Sequence, residues 1–548
     1  MKKQIYLFIG ISLLINLLQA YFTPISEDEA YYWLWSQNLD WGYFDHPPMV
    51  AWWVSLGYKL FQNELGVRLI TVLLNSFSLF FWAQILNPKT IKQIRLFAVI
   101  TASTLVIQAF GFLSTPDAPL LFFTLFYLFS FKTFLEKNSL VSSLLLALSL
   151  AGLVYSKYHG ILVIAFTLLP ILKIWWRNPK FYFAVGLSLL LYSPHILWLF
   201  QHDFIPIKYH FLDRSSDSEF EWQKPLIYAG MYFLGAAPFL SYFIFKAILT
   251  FKPQNPFQKS IWGLAILPGI FFFISTFKDN VQAQWLLISF IAMVLITFIY
   301  YSEKEKLKLL FRLGITGIIV VLVARILIAL PGTSPLYKYK EFAQNINLYE
   351  VNNVVFEKYQ EASVYNFYSP NKEVAVHRTI GNRKSQFSLW KWEEEFHGRN
   401  VDFISPWTSS DRSFKGGHKN YEYHIKNIPN YISYELMEID TPKELKAKPN
   451  QDIELEITIR NPHSHPLKIG GDSELKLNAT YYQHKQYEIL YSQEMKVEEF
   501  TLNPEEIKTM KVSFTNIDES GDYKVCLGIN YTQIGTTYLS KPILLESK

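Results

Sequence analysis

The chain has 548 residues and a formal net charge of +5, and half of its residues are hydrophobic. Its 45 Phe, 34 Tyr and 15 Trp exceed the usage of an ordinary soluble protein, which could not bury that much apolar surface. The single cysteine excludes an intramolecular disulfide and a cysteine-based zinc site. The composition therefore indicates a membrane protein. The modest positive charge lies mainly in short loops of the apolar half, so it does not indicate nucleic-acid binding.

Long apolar runs follow one another over residues 1–330, whereas residues 331–548 carry most of the charge and read as water-soluble. The first run follows Lys2 and Lys3 but lacks a small-x-small cleavage pattern, so we expect an uncleaved first helix. Runs near the length needed to cross about 30 Å of hydrocarbon predict about eleven spanning helices. They lie at roughly 5–22, 66–86, 95–113, 118–135, 139–155, 160–176, 181–200, 226–249, 260–276, 282–301 and 308–330.

Alternate loops between these runs differ in charge. One set is rich in Lys and Arg, which makes it the cytoplasmic set by the positive-inside rule. The other set holds the unusual polar clusters, among them "SEDEAYYW", "DHPP", "STPDAP", "YSKYHG" and "FKDNVQAQW". An odd number of spans also places residues 331–548 on that side. The sequence therefore predicts that any chemistry occurs at the outer face.

The C-terminal part of the chain divides into two patterns. Residues 331–433 mix helical stretches with short apolar strands, which predicts a small α/β domain. Residues 434–548 alternate apolar and polar positions, as in "DIELEITIR" and "DYKVCLGIN", which predicts an Ig-like β-sandwich. Nothing in the sandwich resembles a catalytic constellation, so we interpret it as a docking or spacing module.

Acids and cations recur near the predicted outer ends of the spans. Asp28 and Glu29 follow the first span closely, where a low dielectric would raise the pKa of a carboxylate and make it a better base. Asp117 stands at the entrance of another span, and Lys157 and His159 interrupt a short outer turn. Opposed carboxylates and cations at one depth suggest a site that handles an anionic group while moving a proton.

Aromatic residues crowd the segment that follows the acids, and they have two interpretations. They form either an interfacial belt, the usual reason for Trp and Tyr at a membrane surface, or a wall of rings that stacks on a sugar or a lipid tail. Pro47 and Pro48 fix the backbone of "FDHPP" and exclude helix there. We take Tyr32, Tyr43 and His159 as candidates for contacting the substrate.

Five motifs together resemble a known family. "EDEAYYW…GYFDHPPM…W", "LGVRL", "STPDAPLLFF", "GLVYSKYHGIL" and "SPHILWLFQHDF" are similar, in order and spacing, to those of bacterial GT-C glycosyltransferases. The likeness is to the branch related to protein O-mannosyltransferases and to the lipid A aminoarabinose transferase, and it covers about residues 1–300. It implies a polyprenyl-phosphate-linked sugar donor, an acceptor hydroxyl, inversion at the anomeric carbon and a location in the bacterial inner membrane.

The resemblance also implies roles for individual residues. Asp28 matches the catalytic residue of the first outer loop, which as a base would take the acceptor's proton, and Glu29 is its companion. Asp117 matches an aspartate that holds the acceptor or the base. Lys157 matches a lysine that contacts the donor phosphate. His46 stands where the lipid A branch has another phosphate-binding lysine, a departure that leaves the charge of this position to pH.

The remaining expectations concern phosphate contacts and metal. His202, His210 and Arg214 fall in a long outer loop where the family gathers further phosphate-binding basic residues. We expect no cofactor and no metal; the alternative is a divalent ion on the oxygens of Asp28, Glu29 and Asp117. The sequence thus predicts a GT-C type glycosyltransferase that serves a lipid, glycan or protein acceptor of the cell envelope. The alternative is a polytopic transporter or flippase for a polar lipid or glycolipid, although no internal repeat favours it.

Overall fold

The computed structural model describes residues 2–210, 221–370, 372–417, 420–484 and 488–548. The chain forms two compact units, Met1–Tyr337 and Lys338–Lys548. The first unit is helical, and its α-helices are α1 (Lys2–Phe22), α2 (Glu27–Gln37), α3 (Met49–Tyr58), α4 (Glu64–Leu86), α5 (Ile91–Ala102), α6 (Leu105–Phe110), α7 (Asp117–Lys137), α8 (Leu140–Ser156), α9 (His159–Leu168), α10 (Leu172–Trp175), α11 (Pro179–Gln201), α12 (Ile205–Lys208), α13 (Gln223–Gly235), α14 (Ser241–Thr250), α15 (Pro256–Ser275), α16 (Leu287–Tyr301) and α17 (Lys308–Ala329).

Within the described residues, seven helices are long and apolar enough to cross a membrane, and the pair formed by α13 and Pro238–Thr250, bent by 84°, would make eight. The sequence predicts about eleven because it does not reveal where apolar runs break. The run at 95–113 is split between α5 and α6, where the hydroxyls of Ser103 and Thr104 donate to the Ile100 carbonyl. The run at 160–176 breaks at Pro170. The polytopic helical fold itself is confirmed.

Burial orders the helices of the first unit into a centre and a periphery. In α16, nearly every side chain is buried, because a helix that is apolar on all sides can be covered on all sides. Helices α1 and α17 are peripheral, with only 17% and 22% of their most apolar windows buried inside the protein. Their many exposed aliphatic residues are suited to contact lipid rather than water.

The second unit begins within α18 (Pro335–Ile346) and contains a mixed five-stranded sheet followed by two antiparallel-rich sheets. In the first sheet the strand order is β2-β1-β3-β5-β4, with β1 parallel to β2 and β3. Its strands are β1 (Val354–Phe356), β2 (Val374–Val376), β3 (Val401–Ser405), β4 (Ser413–Gly416) and β5 (Tyr421–Ile428), and its helices are α19 (Tyr359–Tyr368) and α20 (Gln386–Trp390).

The later strands are β6 (Glu438–Asp440), β7 (Glu444–Ala447), β8 (Asp452–Arg460), β9 (Leu467–Ile469), β10 (Leu475–Tyr482), β11 (Ile489–Glu494), β12 (Phe500–Leu502), β13 (Ile507–Thr515), β14 (Gly521–Tyr531), β15 (Gly535–Tyr538) and β16 (Ile543–Ser547). They form an eight-stranded sheet and a three-stranded sheet. Burial alternates along β8 as its sequence predicts. The sheet-rich C-terminal part is confirmed, while a domain boundary at residue 433 stays a prediction.

A buried polar network lies within the second unit, at the end of β2. His377 Nδ1 lies 2.9 Å from Glu393 Oε1, and the hydroxyls of Tyr431 and Ser433 each donate to Glu393 at 2.6 Å. Burial lowers the pKa of the neighbouring His397 to about 4. The folded unit therefore favours the neutral form of His397.

Candidate functional site

The three consecutive acids lie in the first turn of α2. Ser26 caps this helix: its hydroxyl accepts from the Glu29 amide at 3.3 Å, and its own amide donates to Glu29 Oε2 at 3.2 Å. This reciprocal capping box suits acids, because the positive end of a helix dipole stabilises them. The two predicted site residues of this turn differ in environment, since Asp28 is exposed and Glu29 is fully buried. Asp28 is thus the one that a substrate can reach.

Glu29 forms a buried ion pair with Arg68 of α4. Arg68 Nε donates to Glu29 Oε1 at 2.7 Å, and Arg68 Nη2 donates to Oε2 at 2.6 Å. The backbone amide of Ser114, in the loop before α7, also donates to Oε1 at 3.0 Å. Burial alone would raise the pKa of Glu29, but the Arg68 charge and these hydrogen bonds hold it below its usual value. Glu29 therefore joins α2, α4 and the loop that leads to Asp117.

The guanidinium of Arg68 also fixes the end of α1. It donates to three backbone carbonyls there, those of Ala20 at 3.2 Å, Thr23 at 2.5 Å and Pro24 at 2.9 Å. A buried charge is tolerated when it is paired and hydrogen-bonded, and Arg68 meets both conditions. The geometry fits a positioning role for Glu29, and the catalytic role implied by the resemblance stays a prediction.

Asp117 and Lys157 form a second buried ion pair. Asp117 is the first residue of α7 and Lys157 follows the last residue of α8. Lys157 Nζ lies 2.8 Å from Asp117 Oδ1 and 2.9 Å from Oδ2. Both side chains are about 6% exposed. The structure thus brings together a predicted carboxylate and a predicted phosphate-binding cation that are 40 residues apart in sequence.

Imidazole and phenol rings surround the turn that carries this lysine. Tyr158, the next residue, has its ring 6.0 Å from that of His210, which in turn lies 5.8 Å from the His46 ring. His46 also faces Tyr32, with ring centroids 6.2 Å apart. His210 Nε2 donates to the Asp45 carbonyl at 2.8 Å. Two predicted residues, His46 and Tyr32, therefore lie in one group of rings with His210, a histidine of the long outer loop.

One face of α11 holds the loop after α2 in place. His195 Nδ1 lies 2.6 Å from the Trp41 carbonyl, and Trp198 Nε1 donates to Asp40 Oδ2 at 2.7 Å. His202, one turn further on, stacks on Trp198 with ring centroids 4.1 Å apart. Residues at i, i+3 and i+7 share a helix face, which explains this alignment. The structure places His202 beside the loop, and its contact with a phosphate stays a prediction.

Tyr43 lies inside that loop rather than on an open surface. It is fully buried and its ring stacks on Trp35 at 4.4 Å. Its hydroxyl donates to the carbonyls of Trp35 and Asn38 at 3.1 and 3.0 Å and accepts from the Asp40 amide at 3.1 Å. Burial raises the pKa of this hydroxyl. These contacts fit a ring that shapes the loop, and substrate contact by Tyr43 stays a prediction.

The other two predicted residues are His159 and Arg214. His159 packs against a different pair of rings, with its own ring 5.7 Å from Phe272 and 5.4 Å from Trp285. Arg214 lies outside the described residues. The roles that the resemblance implies for them stay predictions.

Arg68, His195 and Trp198 were not predicted as site residues from the sequence. The signal for Arg68 was a lone arginine inside an apolar run, since an intramembrane charge usually has a partner and a function. His195 and Trp198 stand within the motif "SPHILWLFQHDF", and their spacing on one helix face was readable. The partners of these residues could not be predicted from the sequence, because Arg68 pairs with a residue 39 positions away and Trp198 with one 158 positions away.

The described residues contain no group of three or more His, Cys, Asp or Glu that could hold a metal ion. The oxygens of Glu29 face Arg68 and those of Asp117 face Lys157. The expectation that no cofactor is needed stays a prediction.

Comparison with known proteins supports the resemblance. The family model described as dolichyl-phosphate-mannose-protein mannosyltransferase matches residues 45–198. The chain is 30% identical over 204 residues to the lipid A galacturonosyltransferase RgtD of Rhizobium johnstonii, an alignment that covers 33% of this chain and 40% of that protein. The matched part thus spans well under half of that relative.

Two solved structures share the fold. They are crystal structures of ArnT from Cupriavidus metallidurans, in the apo state and bound to undecaprenyl phosphate. Each superposes with a TM-score of 0.56 at 12% identity, over 77% of this chain and 98% or 97% of ArnT. At this identity the likeness shows the fold alone. Together with the sequence matches, it confirms the resemblance to GT-C glycosyltransferases and the multi-pass membrane architecture.

Proposed function

We propose that the protein is an inverting glycosyltransferase. It transfers a sugar from a polyprenyl-phosphate donor to an acceptor hydroxyl at the outer face of a bacterial inner membrane. The observation that carries this proposal is the buried pair of Asp117 and Lys157 beside the rings of His46 and His210. A cation held at a membrane-embedded site, in a fold shared with a protein crystallised with undecaprenyl phosphate, suits a lipid-linked phosphate.

The geometry of Lys157 supports donor binding. An ammonium group has three N–H donors, and Asp117 accepts two of them through its two oxygens. The third N–H can donate to a phosphate oxygen while the aspartate continues to orient the lysine. The site therefore does not leave the lysine as an unpaired buried charge when the donor is absent.

We assign the steps of the proposed reaction to these residues. The acceptor oxygen attacks the anomeric carbon as the Asp28 carboxylate takes its proton. The bond between that carbon and the phosphate oxygen breaks on the opposite face, and its electron pair leaves with the polyprenyl phosphate. Lys157 stabilises the departing phosphate in a site where water does not weaken the interaction. Arg68 and Glu29 hold the first turn of α2 so that Asp28 faces the acceptor.

The charge distribution of the loops supports an outer-face reaction, because the Lys-rich and Arg-rich set marks the cytoplasmic side. A lipid, a glycan and a protein of the envelope are all acceptors with a suitable hydroxyl. Membrane lipids and the lipid-linked sugar are the expected partners.

Incorporation of labelled sugar tests the proposal. Cells that make the native protein, Asp28→Asn or Glu27→Gln at equal membrane levels are fed radioactive glucose, and label is measured in the envelope fraction against cells that lack the protein. General-base catalysis contributes about 10²–10⁴ in rate, so Asp28→Asn should lose almost all protein-dependent label. Glu27→Gln is the matched control, because Glu27 stands in the same turn and should leave labelling within about twofold.

Each outcome is decisive. Equal labelling by Asp28→Asn and native protein would show that Asp28 is not the base. No difference between native cells and cells that lack the protein would reject the transferase and favour a transporter or flippase.

A further inference from the structure

A second buried arginine lies in the first unit, between α1 and α17. Arg325 Nη2 donates to Asn16 Oδ1 at 2.6 Å, and its Nε donates to Gln19 Oε1 at 3.3 Å. Its Nη1 donates to Gln108 Oε1 at 3.2 Å. These three acceptors are neutral amides. A guanidinium carries five N–H donors, so the three bonds leave two donors for a further acceptor.

Arg325 differs from Arg68 in its partners, because in the described residues it is bonded to neutral amides and not to a carboxylate. Both guanidinium groups lie over the ring of Phe112, at 5.1 Å for Arg325 and 5.8 Å for Arg68. Arg68 is neutralised by Glu29, whereas in the described parts of the chain no carboxylate pairs with Arg325. Arg325 is only 7% exposed. A buried charge without an opposite charge is costly, so this place attracts an anion.

Arg325 lies near one end of its helix. It stands four residues before Ala329, the end of α17, which is about 6 Å along the helix axis at 1.5 Å per residue. Gln19 stands three residues before Phe22, the end of α1. Headgroup phosphates lie within the polar layer a few ångströms beyond the hydrocarbon. Arg325 and Gln19 are therefore close to the helix ends, where the headgroup layer is expected.

The helices that hold Arg325 border the periphery of the first unit. Helices α1 and α17 are the least covered of the spanning helices, and their outer faces carry exposed aliphatic residues such as Leu18 and Ile326. Gln108, whose side-chain oxygen accepts a hydrogen bond from Arg325 Nη1, is only partly buried. A lipid that lies against α1 and α17 can direct its headgroup towards the guanidinium of Arg325.

We propose that Arg325 binds the phosphate group of an anionic membrane lipid at the junction of α1 and α17. The two remaining N–H donors of the guanidinium form a fork that suits two phosphate oxygens. Asn16, Gln19 and Gln108 hold the fork in place. This site is separate from the lysine proposed for the donor, and the lipid is either a glycerophospholipid or a polyprenyl phosphate.

Native mass spectrometry of the full-length protein tests this site. Detergent-solubilised protein is mixed with phosphatidylglycerol, undecaprenyl phosphate or zwitterionic phosphatidylcholine, and the fraction that retains lipid is measured. The variants are Arg325→Gln and, as matched control, Arg312→Gln, which removes an exposed arginine from the same helix. Charge-assisted bonds of this kind change affinity by about tenfold or more, so wild type and Arg312→Gln should prefer phosphatidylglycerol by that factor and Arg325→Gln should not.

The measurements with the different lipids identify which lipid binds at Arg325. Loss of phosphatidylglycerol alone in Arg325→Gln indicates a bulk phospholipid. Loss in Arg325→Gln of one bound undecaprenyl phosphate per protein, in addition to the one that Lys157→Met loses, indicates a polyprenyl phosphate at Arg325. Either result supports the proposal, and both are independent of whether the protein transfers a sugar.

Three results would overturn it. One is a wild-type protein that retains neither phosphatidylglycerol nor undecaprenyl phosphate better than phosphatidylcholine, which can be measured whatever the variants do. Another is an Arg325→Gln protein with the wild-type preference. Should Arg325→Gln fail to fold, Arg325→Lys keeps the charge and should retain part of the preference, and a folded Arg325→Lys protein without any preference would refute the phosphate site.

Discussion

The ion pair between Glu29 and Arg68 gives a sharp prediction about stability. Glu29→Gln keeps the shape of the side chain but removes its charge, and the fully buried guanidinium of Arg68 loses the carboxylate with which it pairs. Removing one partner of a buried ion pair costs about 3–5 kcal/mol. At about 2 °C per kcal/mol for a large domain, the apparent melting midpoint should fall by roughly 6–10 °C.

Tryptophan fluorescence during heating of the detergent-solubilised, full-length protein measures this change. Glu27→Gln, in the same helical turn but partly exposed, is the control and should melt within about 1 °C of wild type, because exposed acids contribute little. The double variant Glu29→Gln with Arg68→Met should lose less stability than the two single losses added, since neither charge is then left unpaired.

Two results would refute this reasoning. The first is a Glu29→Gln protein that melts with the wild type, which would mean that the three carbonyl groups at the end of α1 satisfy Arg68 without the carboxylate. The second is strict additivity in the double variant, which would mean that the two side chains do not stabilise each other.

Three further changes have expected outcomes. Lys157→Met should weaken binding of undecaprenyl phosphate about tenfold or more in a titration, and Lys157→Arg should weaken it less. Equal binding by Lys157→Met and the wild type would contradict the phosphate-binding role of Lys157. Gly42→Ala places a Cβ 2.4 Å from the Trp198 ring and should cost about 1–3 kcal/mol, whereas Gly10→Ala, with nothing within 4 Å, should leave the melting midpoint unchanged. Burial lowers the pKa of His397 to about 4, so its neutral form contributes stability above pH 6.5 that is lost as the pH falls towards 4. His397→Asn should therefore reduce the fall in melting midpoint that acid causes. An unchanged fall would exclude this histidine as its cause.

The sequence alone predicted the membrane-spanning half, the sheet-rich C-terminal part and the family resemblance. These features depend on composition, on the length of apolar runs and on periodicity, which are local properties of the chain. The alternation along β8 and the acids at the start of α2 are examples. The count of spans was harder to predict, because a break such as that between α5 and α6 depends on hydroxyl groups that bond to the backbone and not on hydropathy.

Only the tertiary structure decided what the predicted site residues do with one another. Asp28 and Glu29 are adjacent in sequence and alike in chemistry, yet one is exposed and the other is buried against Arg68, 39 residues away. Asp117 and Lys157 were separate candidates until their helices placed them 2.8 Å apart. The neutral surroundings of Arg325 came from residues of α1 and α6 that are far away in sequence. Such contacts join distant segments, and the energy of a buried charge depends on its partners, which no local pattern specifies.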